Sequence, residues 1–322
     1  MNKELKILGI VAAFTLILYW GVEPFAHSEM HKHVEGNNLV YDGKADIEEA
    51  SKDKKEAKKA FWADVKKISA LKGDVKAGEA TYAMCAGCHM EGAANMGGVT
   101  PPSLDHAGAI YDKNFLIALI KNPAMATNVD HKYKDTSTHP MGSISSMVSA
   151  PQDIANVVAY LKAKKAGEVT PKEAYKEACG RCHANRYGKL TQLGEIPKTK
   201  SNIKTGKDID AMKYEQKVAT EQGALADYLG KLPPDLSIIF RARSEHFLHT
   251  FIENPQSQLA GTAMPRTGLS KEGMEKVMEY LEETGDPSKP ARDALGPYVL
   301  IFFVLFTILA YLWKQSQWRD LH

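Results

Sequence analysis

The sequence predicts a mainly α-helical protein, with two related helical units in tandem between an N-terminal and a C-terminal membrane-spanning helix. Three observations predict it. Two long apolar stretches lie near the ends, and the only four cysteines form two C-x-x-C-H motifs. A nine-residue phrase, "FLIALIKNP" at 115–123, returns as "FLHTFIENP" at 247–255, with Phe, Leu, Ile, Asn and Pro in the same places. The 41 Lys and Arg nearly balance the 39 Asp and Glu, for a formal net charge of +2. That balance argues against nucleic acid as the main partner, because phosphate binding needs a concentrated positive face.

Residues 1–22 form the first predicted element. The stretch "LKILGIVAAFTLILYWGV" (5–22) carries one charge, Lys6, near its start. As a helix it spans about 27 Å, against a bilayer core of about 30 Å. It is read as a signal anchor, with a signal peptide cleaved near Phe25, Ala26 and His27 as the alternative. Residues 23–72 read as a charged linker. Within it, "KADIEEASKDKKEAKKAFWADVKKIS" (44–69) alternates charges at helical spacing and predicts an exposed helix. His27, His31 and His33 have no acidic or cysteine ligand spaced with them, so they are read as solvated rather than metal-binding.

The two units occupy 73–167 and 168–289. Each carries its motif near a short helix, "CAGCH" at 85–89 and "CGRCH" at 179–183. Two thiols one helical turn apart can add to the two vinyl groups of a haem, while the adjacent imidazole meets the iron. A thioredoxin-like motif needs no following His, and a zinc site would pool two pairs 94 residues apart, each with its own His. The expectation is two covalently attached c-type haems, one on Cys85 and Cys88 with His89 on iron, the other on Cys179 and Cys182 with His183. Attachment of this kind takes place outside the cytoplasmic membrane. The units are therefore expected in the periplasm of a bacterial inner membrane, with both termini cytoplasmic. Lys3, Lys6, Lys314 and Arg319 agree with that orientation.

After each motif the same landmarks follow in order. Unit one has "PPSL" (101–104), "FLIALIKNP", "HPM" (139–141) and the closing helix "APQDIANVVAYLKAKK" (150–165). Unit two has "PPDL" (233–236), "FLHTFIENP", "AMP" (263–265) and "SKEGMEKVMEYLEE" (270–283). From the first Pro to the Asn of "NP" is 21 residues in both, which describes a tandem duplication. A haem supplies much of the core that so small a unit lacks. Tyr82 and Tyr175 lie about one turn ahead of each motif and face inward, toward Tyr160 and Tyr280 on the closing helices. The Pro of each "NP" is read as stopping the preceding helix.

A methionine is the expected sixth ligand, since a thioether opposite His makes a low-spin electron-transfer haem. In unit two this is Met264, whereas Met274 and Met278 fall at core spacing. Unit one offers Met141 and Met147; Met141, 19 residues before Tyr160, is preferred for loop length. His106 and His139 are the alternatives. Unit two also carries an insertion of about 38 residues over 186–230, ending in a helix stopped by Pro233 and Pro234. It is read as a contact for other subunits or as a solvated loop. Residues 290–322 hold the second membrane helix; its core "LGPYVLIFFVLFTILAYLW" (295–313) has no charge, and Tyr298, Tyr311 and Trp313 sit at its rims.

The phrases "CGRCH", "LPPDLSIIFRAR" (232–243) and "AMP", followed by one C-terminal anchor after "KPARDALGPY" and a short basic tail, resemble cytochrome c1 over residues 170–322. That family is the haem subunit of ubiquinol–cytochrome c reductase. Unit one resembles only a generic class I cytochrome c. The doubled haem domain and the N-terminal anchor are similar to the di-haem cytochrome c1 branch of some bacteria, notably the Campylobacter and Helicobacter group. The resemblance implies His183 and Met264 as axial ligands and Arg243, or Arg241, as a partner of a haem propionate. It implies cytochrome b and Rieske iron–sulfur partners in a dimeric complex, with a soluble cytochrome c or terminal oxidase as acceptor. The chain would carry electrons and do no bond chemistry of its own. A di-haem subunit of a haem-copper oxidase is the competing carrier, disfavoured by the C-terminal anchor. A di-haem peroxidase is the competing catalyst, disfavoured by a methionine for each iron.

Overall fold

The computed structural model describes residues 3–32, 41–90, 100–133, 138–164, 169–197 and 209–319. The chain begins with α1 (Lys3–Ile17), which runs through a π-helical turn (Leu18–Val22) into α2 (Glu23–Lys32). It ends in α17 (Lys289–Arg319), and both terminal helices are long and apolar enough to cross a membrane. Neither buries its apolar span against the rest of the chain. The Lys314 ammonium donates to the Glu4 carboxylate, so the start of α1 lies beside the end of α17.

Residues 41–69 depart from the sequence expectation. They form α3 (Lys44–Glu48) and α4 (Lys52–Ser69), and α4 is not a solvated linker. Phe61, Trp62, Val65 and Ile68 are buried on one face of it and pack toward α7 (Lys113–Lys121). The reason is the spacing: these four recur at i, i+1, i+4 and i+7 between lysines, which makes one apolar stripe on a charged helix. Burying each such side chain stabilises by roughly 1.5–3 kcal/mol. Tyr41 is buried with them.

Unit one comprises α5 (Val75–His89), α6 (Ala107–Ile110), α7, α8 (Pro123–Ala126), α9 (Ile144–Met147) and α10 (Pro151–Lys164). Unit two answers with α11 (Pro171–Ala178), a hairpin of β1 (Leu190–Thr191) and β2 (Gly194–Glu195), α12 (Ile209–Leu229), α13 (Ile239–Ala242), α14 (Glu245–Glu253), α15 (Pro255–Gln258) and α16 (Lys271–Gly285). In the hairpin Leu190 faces Glu195 and Thr191 faces Gly194. First and last helices cross in each unit. Tyr82 meets Tyr160 at 5.0 Å between ring centroids where α5 crosses α10, and Tyr175 meets Tyr280 at 4.7 Å where α11 crosses α16.

The repeated phrase is a helix-to-helix junction in both units. Asn122 leaves α7 in an extended conformation, with Pro123 at the first position of α8; Asn254 and Pro255 do the same between α14 and α15. The proline therefore opens a second helix as well as ending the first, because its fixed φ suits position N1 and its missing N–H is unneeded there. Asp112 and Ser244 cap α7 and α14 by accepting from backbone N–H groups of the first turn.

One continuous apolar core joins the units. Tyr111 and Leu269 form an antiparallel bridge, Asp112 N donates to Gly268 O at 2.9 Å, and Ser270 N donates to Ile110 O at 2.8 Å. Gly268, at φ +75°, lies directly against the Phe115 ring, so the first copy of the phrase packs on the loop ahead of α16. The insertion is partly ordered as structure rather than solvated loop: α12 buries Leu225, and Lys132 donates to Tyr228 O at 2.6 Å, tying it to unit one. Residues 198–208 of it lie outside the described residues.

Candidate haem sites

The two motifs are mounted by different local means. Asp74 caps α5, accepting from Ala77 N at 2.8 Å, and "CAGCH" forms the last turns of that helix. In unit two a capping box of Thr170 and Glu173, with Pro171 at N1, starts α11. "CGRCH" follows its end as a tight turn, in which Cys182 N and His183 N both donate to Cys179 O at 3.1 and 2.9 Å. Either way the two thiols of a motif sit one turn apart with the imidazole beside the second. All four cysteines are unpaired.

Each imidazole is then oriented by a proline carbonyl. His89 Nδ1 lies 2.8 Å from Pro102 O, and His183 Nδ1 lies 2.8 Å from Pro234 O. A carbonyl only accepts, so Nδ1 carries the hydrogen and Nε2 presents its lone pair. Burial pushes both imidazoles below the usual histidine value, outweighing the proline carbonyls that pull the other way; the Arg181 charge pushes His89 further down. A neutral ring with a free, aimed Nε2 is the form that binds a metal. Burial also pushes the Cys179 thiol up to about 12, and Cys85 and Cys182 upward.

The methionines separate by burial. Met264 is half-buried in a loop braced by Gln256, which donates to Thr262 O at 2.7 Å and accepts from Gly261 N at 2.9 Å. Met141 is half-buried against the core, and its N–H donates to His139 Nδ1 at 3.0 Å. Met147 stands 51% exposed on α9. Met274 and Met278 are core residues of α16. His106 is engaged with Glu177 across the unit boundary, through Nδ1 and its backbone N–H. Arg241 and Arg243 are both exposed where α13 ends, Arg243 with its guanidinium over the Phe247 ring at 5.5 Å.

These residues fit a haem c: two unpaired thiols per motif, an imidazole whose Nε2 has no hydrogen-bond partner among the described residues, and a half-buried thioether in each unit. The Nε of Arg181 is buried and has no hydrogen-bond partner among the described residues, which suits a neighbour bearing carboxylates. Sequence reasoning passed over three of these features. Pro102 and Pro234 were visible as matched "PP" landmarks, but their carbonyls as imidazole acceptors were not. Arg181 was visible only as a variable position inside a motif.

Comparison with known proteins defines the class first. Residues 75–165 match the cytochrome c family, so the chain contains a cytochrome c domain, which implies covalent haem c. It is an electron-transfer cytochrome, and a cytochrome c1-like one. Cytochrome c1 of Allochromatium vinosum is 24% identical over 45% of this chain and 80% of that protein. The ammonia monooxygenase gamma subunit of Nitrosomonas europaea is 25% identical over 57% of this chain and 92% of that protein. Among solved structures, a chain of a hyperthermophilic respiratory complex III is 25% identical with a TM-score of 0.37, covering 49% of this chain and 79% of that one.

Proposed function

We propose that the chain is the membrane-anchored, di-haem cytochrome c1 of a quinol–cytochrome c reductase. One haem would be held by Cys85, Cys88, His89 and Met141, the other by Cys179, Cys182, His183 and Met264. The observation that carries the doubling is the repeated imidazole geometry, the same 2.8 Å contact to the second proline of "PP" in both units. Bound haem supplies a one-electron iron couple, and the protein's part is to hold and tune it. His89 and His183 present Nε2 in a fixed tautomer, and the loops of Met141 and Met264 would each supply a neutral thioether to the iron. The Arg241 and Arg243 guanidiniums follow closely on the "PPDLS" landmark and are assigned to a propionate of the second haem.

Electrons would enter at the second haem from a Rieske iron–sulfur protein and leave from the first to a periplasmic cytochrome c or a terminal oxidase. The two terminal helices would anchor the chain in the inner membrane with both ends in the cytoplasm. The contact between Glu4 and Lys314 supports ends on one side. Purification of the protein from its native membrane tests the reading. Cytochrome b and a Rieske protein are expected to come with it, and quinol is expected to reduce both haems. Co-purification with haem-copper oxidase subunits instead would overturn it.

A further inference from the structure

Two residues beyond Met264, the Arg266 side chain enters the core and is 6% exposed. Its two terminal nitrogens reach the two carboxylate oxygens of Asp46, which is 2% exposed and 220 residues away in sequence; NH1 to Oδ2 measures 3.0 Å. Asp46 is itself held, because Trp62 Nε1 donates to Oδ2 at 3.0 Å. Trp62 is held in turn by a backbone that only glycine allows: Gly43, at φ +79°, lies where a Cβ would stand 2.0 Å from the indole. Arg266 N donates to Thr127 O at 2.9 Å, and the Tyr41 hydroxyl donates to Leu269 O at 3.1 Å. Asp46, Trp62, Gly43, Thr127 and Tyr41 all lie outside unit two.

We propose that Asp46 is a positioning residue for the axial-methionine loop of the second unit, acting through Arg266; this rests on the reading of Met264 as an iron ligand. Two residues of extended chain span only about 7 Å, so fixing Arg266 fixes the far end of the loop that carries the thioether. The near end is braced locally by Gln256, and the clamp comes from the N-terminal segment and unit one. A buried ion pair is a poor source of stability compared with an apolar pair of the same size. What a carboxylate and a guanidinium supply is a bidentate, planar geometry that admits one arrangement. A thioether is a weak ligand that must be held at bonding distance, and its presence opposite His raises the potential of the iron. The segment at 41–69 thereby becomes part of the second haem site.

The test uses the full-length, haem-loaded protein and reads ligation rather than turnover. Asp46→Asn keeps the size of the side chain and an acceptor for Trp62 but removes the charge; Arg266→Lys keeps the charge and removes the fork. In both, the sulfur-to-iron charge-transfer absorption is expected to fall by about half, the share of one of two methionine-ligated haems. Carbon monoxide is expected to bind that haem alone, its midpoint potential is expected to drop, and Asp46→Glu is expected to restore part of the band. Met264→Ala is the reference. If it changes the second haem's ligation while Asp46→Asn and Arg266→Lys do not, the clamp is refuted and the ligand stands. If Met264→Ala changes nothing, the ligand assignment fails and the clamp falls with it. Loss of ligation at both haems in both clamp variants would mean a general structural role and would also overturn the proposal.

Discussion

Gly78 in α5 offers a quantitative test of how the first motif is held. Adding a Cβ there would put it 2.0 Å from Asn156 O and 2.6 Å from Asn156 C on α10, and 2.9 Å from Tyr160 Cβ. Ordinary contact begins near 3.4 Å, so α5 and α10 must part by about 1.4 Å, and the obstacle is backbone that cannot swing aside. Overpacking of this kind costs about 1–3 kcal/mol, and a backbone clash belongs at or above the upper end. Alanine returns about 1 kcal/mol through helix propensity. Gly78→Ala is therefore expected to destabilise by about 2 kcal/mol, roughly a 30-fold shift in the unfolding equilibrium. Gly223 in α12 is the internal control, since a Cβ there meets nothing within 4 Å; Gly223→Ala is expected to stabilise by about 0.5–1 kcal/mol. Urea unfolding of the haem-loaded protein, followed by haem absorbance, gives both numbers. If the two substitutions change stability in the same direction, the close crossing of α5 and α10 is not what positions Cys85, Cys88 and His89.

The remaining expectations concern ligands and the unit boundary. Met141→Ala is expected to make the first haem high-spin and Met147→Ala to leave it unchanged, read by absorption and electron paramagnetic resonance; the reverse pattern would move the ligand to α9. Replacing Cys85 and Cys88 together by Ser should lower the covalent haem count by one, measured as haem absorbance per chain. Glu177→Ala leaves His106 without its acceptor inside the boundary and should lower stability by about 3 kcal/mol, measured by thermal unfolding with both haem bands retained.

Much of the site was legible because it is written locally. The C-x-x-C-H motifs, the paired prolines and the two "NP" junctions are short phrases whose chemistry needs neighbours only a turn away. Tyr82 with Tyr160 and Tyr175 with Tyr280 were legible from register within the repeat. The role of residues 41–69 was not read, although Phe61, Trp62, Val65 and Ile68 carry a stripe in plain sight; the density of lysine and acid around them masked it. The Asp46–Arg266 pair had no local signal at all, because its two halves are 220 residues apart and each reads alone as an ordinary charge. Met141 and Met147 differ in burial, a difference that the unequal loop lengths hid.

The central claim is that each of the two units carries its own covalently bound haem. The intact mass of the purified full-length chain tests this most directly. The account requires a mass above that of the polypeptide by two haems, falling to one when Cys179 and Cys182 are both replaced by Ser. A mass increment of a single haem in the unaltered chain would contradict it.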